Sequence, residues 1–97
     1  MTTDTILSVA QAGFAAYYVR RPGYMWDTTD TKIWWEQIAA GILNGTITRT
    51  QQCHEYYNLG RLYPVDWSDI STTTRDRWVQ AWWAMIRVRD AAMKEAA

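Results

Sequence analysis

The sequence predicts an all-α fold, a small single-domain bundle of about four helices joined by ordered aromatic loops. Three observations carry this expectation. Apolar residues recur at three-and-four spacing in several stretches, and short polar runs rich in helix caps and helix stops separate those stretches. A chain of 97 residues has room for one hydrophobic core, so residues 1–97 are expected to form one helical domain.

The first helix is predicted near residues 4–20. Ile6, Val9, Ala10, Gly13, Phe14, Tyr17 and Tyr18 share its apolar side, and Arg20 to Gly23 supplies a cationic last turn and a stop. Thr28, Thr29, Asp30 and Thr31 offer N-caps for a second helix near 29–43. On it Ile33, Trp34, Ile38, Gly41 and Ile42 form one face that Trp35 and Leu43 widen, and Asn44-Gly45 is the stop. A short polar third helix is expected near 48–59. Thr48 and Gln51 have capping-box spacing, Cys53, Tyr56 and Tyr57 turn inward, and Gly60 ends it. The β-prone stretch from Gly45 to Thr50 is too short and polar for an edge strand and reads as a turn.

Residues Leu62 to Ile70 read as an ordered, packed connection with its own aromatic anchors. Ser71 to Thr74 then offers caps, with Thr73 and Asp76 also at capping-box spacing, for the longest helix near 72–94. Trp78, Trp82 and Met85 form one strip on it, and Val79, Trp83 and Ile86 form a second. One contact layer cannot cover both. The expected core is Ile6, Val9, Phe14, Tyr17, Ile38, Ile42, Tyr56, Trp78 and Trp82. A faint internal echo links Tyr24-x-Trp26 with Tyr63 and Trp67, each pair preceding a Thr-rich cap and a Trp-bearing helix.

Composition narrows the function. Seven tryptophans and six tyrosines against one phenylalanine exceed what a small core needs, and such rings are common anchors of protein interfaces. Ten Lys plus Arg balance ten Asp plus Glu, so whole-chain charge steers toward neither nucleic acid nor anionic lipid. The chain lacks an apolar span long enough for a membrane and a signal-peptide pattern, and its single cysteine excludes an internal disulfide, so a cytoplasmic protein is expected.

Catalytic groups are hard to assemble. His54 is the one histidine, and Cys53 beside it points about 100° away on a helix, which argues against a metal site. The pairs Asp27/Asp30 and Asp66/Asp69 sit beside Ser and Thr in capping patterns, and no phosphate loop or local catalytic triad is present. No cofactor and no enzymatic activity are expected. The reading is a protein-binding protein, with Tyr24, Trp26, Tyr63, Trp67 and Trp83 as anchors and Arg61, Arg75 and Arg87 at a polar rim; a homodimer would use the same rings. The alternative is a helix-turn-helix-like nucleic-acid binder reading through Arg49, Gln52, Asn58 and Arg61. Its cation support is thin. Arg75, Arg77, Arg87 and Arg89 form a further stripe, which Asp76 and Asp90 interrupt.

The run Tyr63-Pro-Val-Asp-Trp67, with Ser71 to Trp78 after it, resembles the tail of many small bacteriophage-encoded proteins, in which a loop Trp precedes a capped helix bearing Arg and an aromatic. The short, aromatic-rich character also resembles phage inhibitors of bacterial defence, including anti-CRISPR proteins. That resemblance implies blocking of a bacterial defence complex by protein contact in the host cytoplasm, and it transfers no functional residue.

Overall fold

The computed structural model describes residues 3–19, 21 and 23–96. Four helices appear among them: α1 (Thr3–Tyr17), α2 (Lys32–Asn44), α3 (Thr50–Asn58) and α4 (Thr72–Ala96). Two short 3₁₀ turns, Trp26–Thr28 and Trp67–Asp69, precede α2 and α4. No strand occurs among the described residues, and Gly45 to Thr50 is a turn as expected.

Local chemistry sets the boundaries. Helix α1 stops at Tyr17, before the predicted Arg20, because the Tyr17 carbonyl accepts the Arg77 Nε–H at 2.8 Å instead of continuing the helix. Of the predicted stop, Arg20 and Pro22 lie outside the described residues. Helix α2 starts later than predicted because the Thr29 and Thr31 hydroxyls bond each other at 2.9 Å and the Thr31 N–H donates to Thr29 Oγ1, which holds a turn there. It ends as expected at Gly45, whose φ of 86° is the left-handed conformation that glycine adopts without cost. The Ile47 N–H then bonds the Gly41 carbonyl at 2.9 Å and drives the Ile47 side chain into the core.

Around the core the helices run in the order α1, α2, α3, α4, with the most extensive contact between α1 and α4. These two are antiparallel. Gly13 of α1 faces Met85 of α4, where a Cβ would lie 2.6 Å from Met85 Sδ, and Arg77 near the start of α4 reaches the end of α1. The radius of gyration is 12.9 Å, close to the roughly 13 Å of a compact domain of this length.

Most of the predicted core is buried, and the differences are in which neighbours widen each helix face. Val9, Phe14, Tyr17, Ile38, Ile42 and Trp78 are buried as expected, whereas Ile6, Tyr56 and Trp82 are only partly buried. On α2 the buried residues are Trp35, Ile38, Ala39 and Ile42, while Ile33 is 55% exposed. On α4 the buried line is Trp78, Ala81, Met85 and Ile86. Val79 and Trp83 from the second predicted strip stay exposed. The connection from Leu62 to Ile70 packs only in its second half: Val65, Trp67 and Ile70 are partly buried, but Leu62 and Tyr63 are 84% and 81% exposed.

Caps also shift by a residue or so. Gln52, not Gln51, reaches back over the start of α3, its Oε1 accepting the Thr48 N–H at 2.7 Å. At α4 the Thr74 N–H donates to Ser71 Oγ at 3.2 Å, so that of the predicted candidates Ser71 is the one that caps.

Candidate protein-interaction site

Aromatic residues from every helix meet where α1 ends. The Trp35 and Trp78 rings stack with centroids 5.3 Å apart, and the Tyr17 ring lies 4.6 Å from Trp78 and 5.6 Å from Trp35. Tyr57 of α3 closes the cluster at 5.4 Å from Trp78, and its hydroxyl is 3.3 Å from that of Tyr18. These rings form a rigid floor. Burial raises the pKa of Tyr17, while the positive charges of Arg77, Arg61 and Arg21 pull it down and Tyr57 opposes them. Burial also raises that of Tyr18, with the Tyr57 hydrogen bond and neighbouring tyrosines adding to the effect.

Outside this floor the surplus rings shape a groove of about 600 Å³, lined by Gln11, Phe14, Ala15, Tyr18, Val19, Arg21, Tyr24 and Trp26. Tyr24 stacks flat on Tyr18, with centroids 4.3 Å apart and planes 8° from parallel, yet remains 51% exposed. Trp26 meets Phe14 edge-on at 5.5 Å, and Lys32 Nζ lies 6.0 Å from its ring centroid. One side of each ring is therefore fixed by the protein. Such pre-set rings lose little freedom when a partner covers the other side.

The predicted anchors do not form one patch. Tyr24 and Trp26 share the groove just described. Trp83, 53% exposed, belongs to a second groove of about 330 Å³ with Ile42, Ile47, Trp82, Ile86 and Arg89, which has no residue in common with the first. Trp67 packs on His54 at 5.7 Å, and Arg75 lies over it at 5.8 Å while donating to the Trp67 and Ser68 carbonyls at 3.2 and 2.9 Å. That pair serves the connection to α4. Among the described residues Tyr63 is exposed and makes no ring contact, and Arg87 is exposed and makes no hydrogen bond or ion pair. Arg61 lies over Tyr57 at 5.4 Å, beside the aromatic floor.

Two of the residues assigned to nucleic-acid reading are occupied internally. Asn58 donates to the Val65 carbonyl at 2.7 Å and its Oδ1 faces the Val65 N–H at 3.5 Å, while Gln52 caps α3. Buried His54 donates from Nε2 to the same Val65 carbonyl at 2.7 Å. His54 and Asn58 of α3 are thus directed at the connection that follows it. Arg49 and Arg61 remain exposed.

Cys53 is buried, and burial pushes its thiol up to about 12, which suits a core residue and not a nucleophile. No group of three or more His, Cys, Asp or Glu side chains suited to a metal ion occurs among the described residues, and no described helix is long and apolar enough to cross a membrane.

Position-specific reasoning missed Phe14, Tyr18, Val19 and Arg21 as groove residues. The signal was the run Tyr17-Tyr18-Val19-Arg20-Arg21 placed shortly before Tyr24 and Trp26, which read as a helix end.

No protein-family model, curated protein or solved structure matches this chain. The functional reading therefore rests on its own residues.

Proposed function

We propose that this protein is a non-enzymatic interaction module that binds a protein partner and thereby blocks or modulates it. The observation that carries the reading is the groove at the end of α1, where Tyr24, Tyr18 and Trp26 are braced from behind and open in front. Aromatic rings held in this way are the usual centres of binding energy at protein interfaces. A finer form of the reading makes the protein a phage-encoded inhibitor of a bacterial defence complex, acting in the host cytoplasm. It is supported only by the resemblance in general character.

The test begins with sedimentation across a concentration range, which identifies a homodimer. Affinity capture from the producing or infected cell then compares the wild type with Tyr24→Ala and, separately, Trp83→Ala, each verified as folded by circular dichroism. A stoichiometric protein retained by Trp83→Ala and lost by Tyr24→Ala is the expected result. Loss by Trp83→Ala alone would transfer the site to the second groove, and recovery of nucleic acid alone would reject the class.

A further inference from the structure

Within a net charge of zero, one end of the α1–α4 pair carries a local cluster of cations. At the end where α1 stops, a second depression of about 490 Å³ is lined by Tyr17, Val19, Arg21, Thr73 and Arg77. It shares Val19 and Arg21 with the aromatic groove, so the two depressions adjoin, one mainly apolar and the other cationic. Among the described residues no carboxylate lines either half. At the opposite end of the same helix pair, where α4 also carries Lys94, the depression between Ser8 and Ala92 is lined by Asp4 and Glu95.

The cationic half is built and unneutralised. Arg77 is held by its Nε–H bond to the Tyr17 carbonyl and by stacking over the Tyr17 ring at 4.0 Å, which leaves its two Nη groups without a hydrogen-bond partner among the described residues. Arg61 approaches from α3 across Tyr57, and Arg21 stands between the two halves. None of the three forms an ion pair; the one ion pair among the described residues is Arg89–Asp90. Guanidinium groups presented in this manner accept carboxylates bidentately.

We infer that this composite surface takes an acidic peptide segment of the partner, with a bulky apolar side chain seated against Tyr24 and Trp26 and adjacent Asp or Glu carboxylates on Arg21, Arg77 and Arg61. The inference rests on the protein-binding reading above and adds the chemistry of what is bound. The cations are too few and too clustered for a phosphate track, whereas one apolar socket beside one cationic cluster matches a short linear segment.

The experiment titrates the protein, by two-dimensional NMR and fluorescence anisotropy, with short labelled peptides that share a central Leu-Phe pair flanked by Glu, Gln or Lys. A Glu-flanked peptide with Ser-Ser at its centre and a single-stranded oligonucleotide of similar length complete the panel. Expected is saturable binding of the Glu-flanked Leu-Phe peptide, at least about tenfold tighter than the Gln-flanked and Ser-Ser peptides and weakening with added salt. Arg21→Glu and Arg61→Glu should each weaken it at least about fivefold, and Tyr24→Ala should do the same, with melting temperatures near the wild type. Arg77 is left intact because it also holds α1. Equal binding of the Glu- and Gln-flanked peptides, indifference to these variants, or no binding by any peptide would overturn the inference while leaving capture of a protein partner at Tyr24 intact. Tighter binding of the oligonucleotide would assign the surface to nucleic acid instead. Concentration-dependent self-association abolished by Arg21→Glu would assign it to the acidic end of a second copy.

Discussion

Individual residues carry two sharp expectations. Gly60 closes α3 against the Trp34 indole, where any added Cβ would overlap the ring. A rigid ring in partial burial cannot swing clear as a methionine tail can, so Gly60→Ala should cost about 1–3 kcal/mol. Gly23 faces open space, and Gly23→Ala should change stability by less than about 1 kcal/mol; paired urea denaturation of the two variants checks both. The second expectation concerns protons. The folded protein retains the Cys53 thiol proton, with a pKa of about 12 against an ordinary 9.0, and those of Tyr17 and Tyr18, both raised from 10.0. The unfolded chain gives these protons up first. Their stabilising contribution is therefore complete below the unfolded values and lost as pH rises, at up to about 1.4 kcal/mol per pH unit for Cys53 and less for the partly solvated tyrosines. Urea midpoints should fall above about pH 9, and Cys53→Ala should delay the onset toward the tyrosine range near pH 10. A flat profile through that range would contradict the burial of all three.

At the scale of elements, the molecule uses one device twice. Each 3₁₀ turn opens on a tryptophan, and a cation from the following helix holds it: Lys32 donates to the Asp27 carbonyl beside Trp26, and Arg75 donates to the Trp67 and Ser68 carbonyls. The internal echo in the sequence thus reflects a shared packing solution. The connection after α3 depends instead on Asn58, whose side-chain amide pairs with the backbone of Val65 while His54 donates to the same carbonyl. Asn58→Ala should destabilise the protein by about 1–2 kcal/mol and expose residues 59–66 to limited proteolysis, because Val65 loses a partly buried partner. A nucleic-acid reader would behave otherwise. Its loss would leave stability and proteolysis unchanged.

Across the whole molecule, burial separates tryptophans that are equivalent in composition. Trp78 is fully buried between Trp35, Tyr17 and Tyr57, so Trp78→Ala should cost about 3–5 kcal/mol and collapse the aromatic floor beneath the groove. Trp83 is half exposed, and Trp83→Ala should cost less than about 1 kcal/mol. Thermal unfolding followed by circular dichroism would separate the two. Equal losses would mean that α4 presents a different face to the core. The indole N–H groups of Trp35 and Trp78 and the Nδ1 of His54 are buried with no hydrogen-bond partner among the described residues, and ring packing surrounds the aromatic centre.

Periodicity and punctuation in the sequence determined the helices, their order and several stops. Apolar spacing and a left-handed Gly45 are local properties of the chain. The surplus of tyrosine and tryptophan likewise announced surface rings before any contact was known. Local spacing did not decide which member of a neighbouring pair faces inward. Trp34 and Trp35, or Trp82 and Trp83, differ by only about 100° of helix rotation, and wide apolar faces tolerate either phase. Packing chose Trp35 because Trp78 stacks on it and Tyr17 packs against it at a tilt. Tertiary structure alone also turned Asn58 toward Val65 and placed Tyr24 and Trp83 in separate grooves. It alone gathered Arg21, Arg61 and Arg77 around Tyr17, since residues so distant in sequence meet only when three segments pack at one end of a bundle.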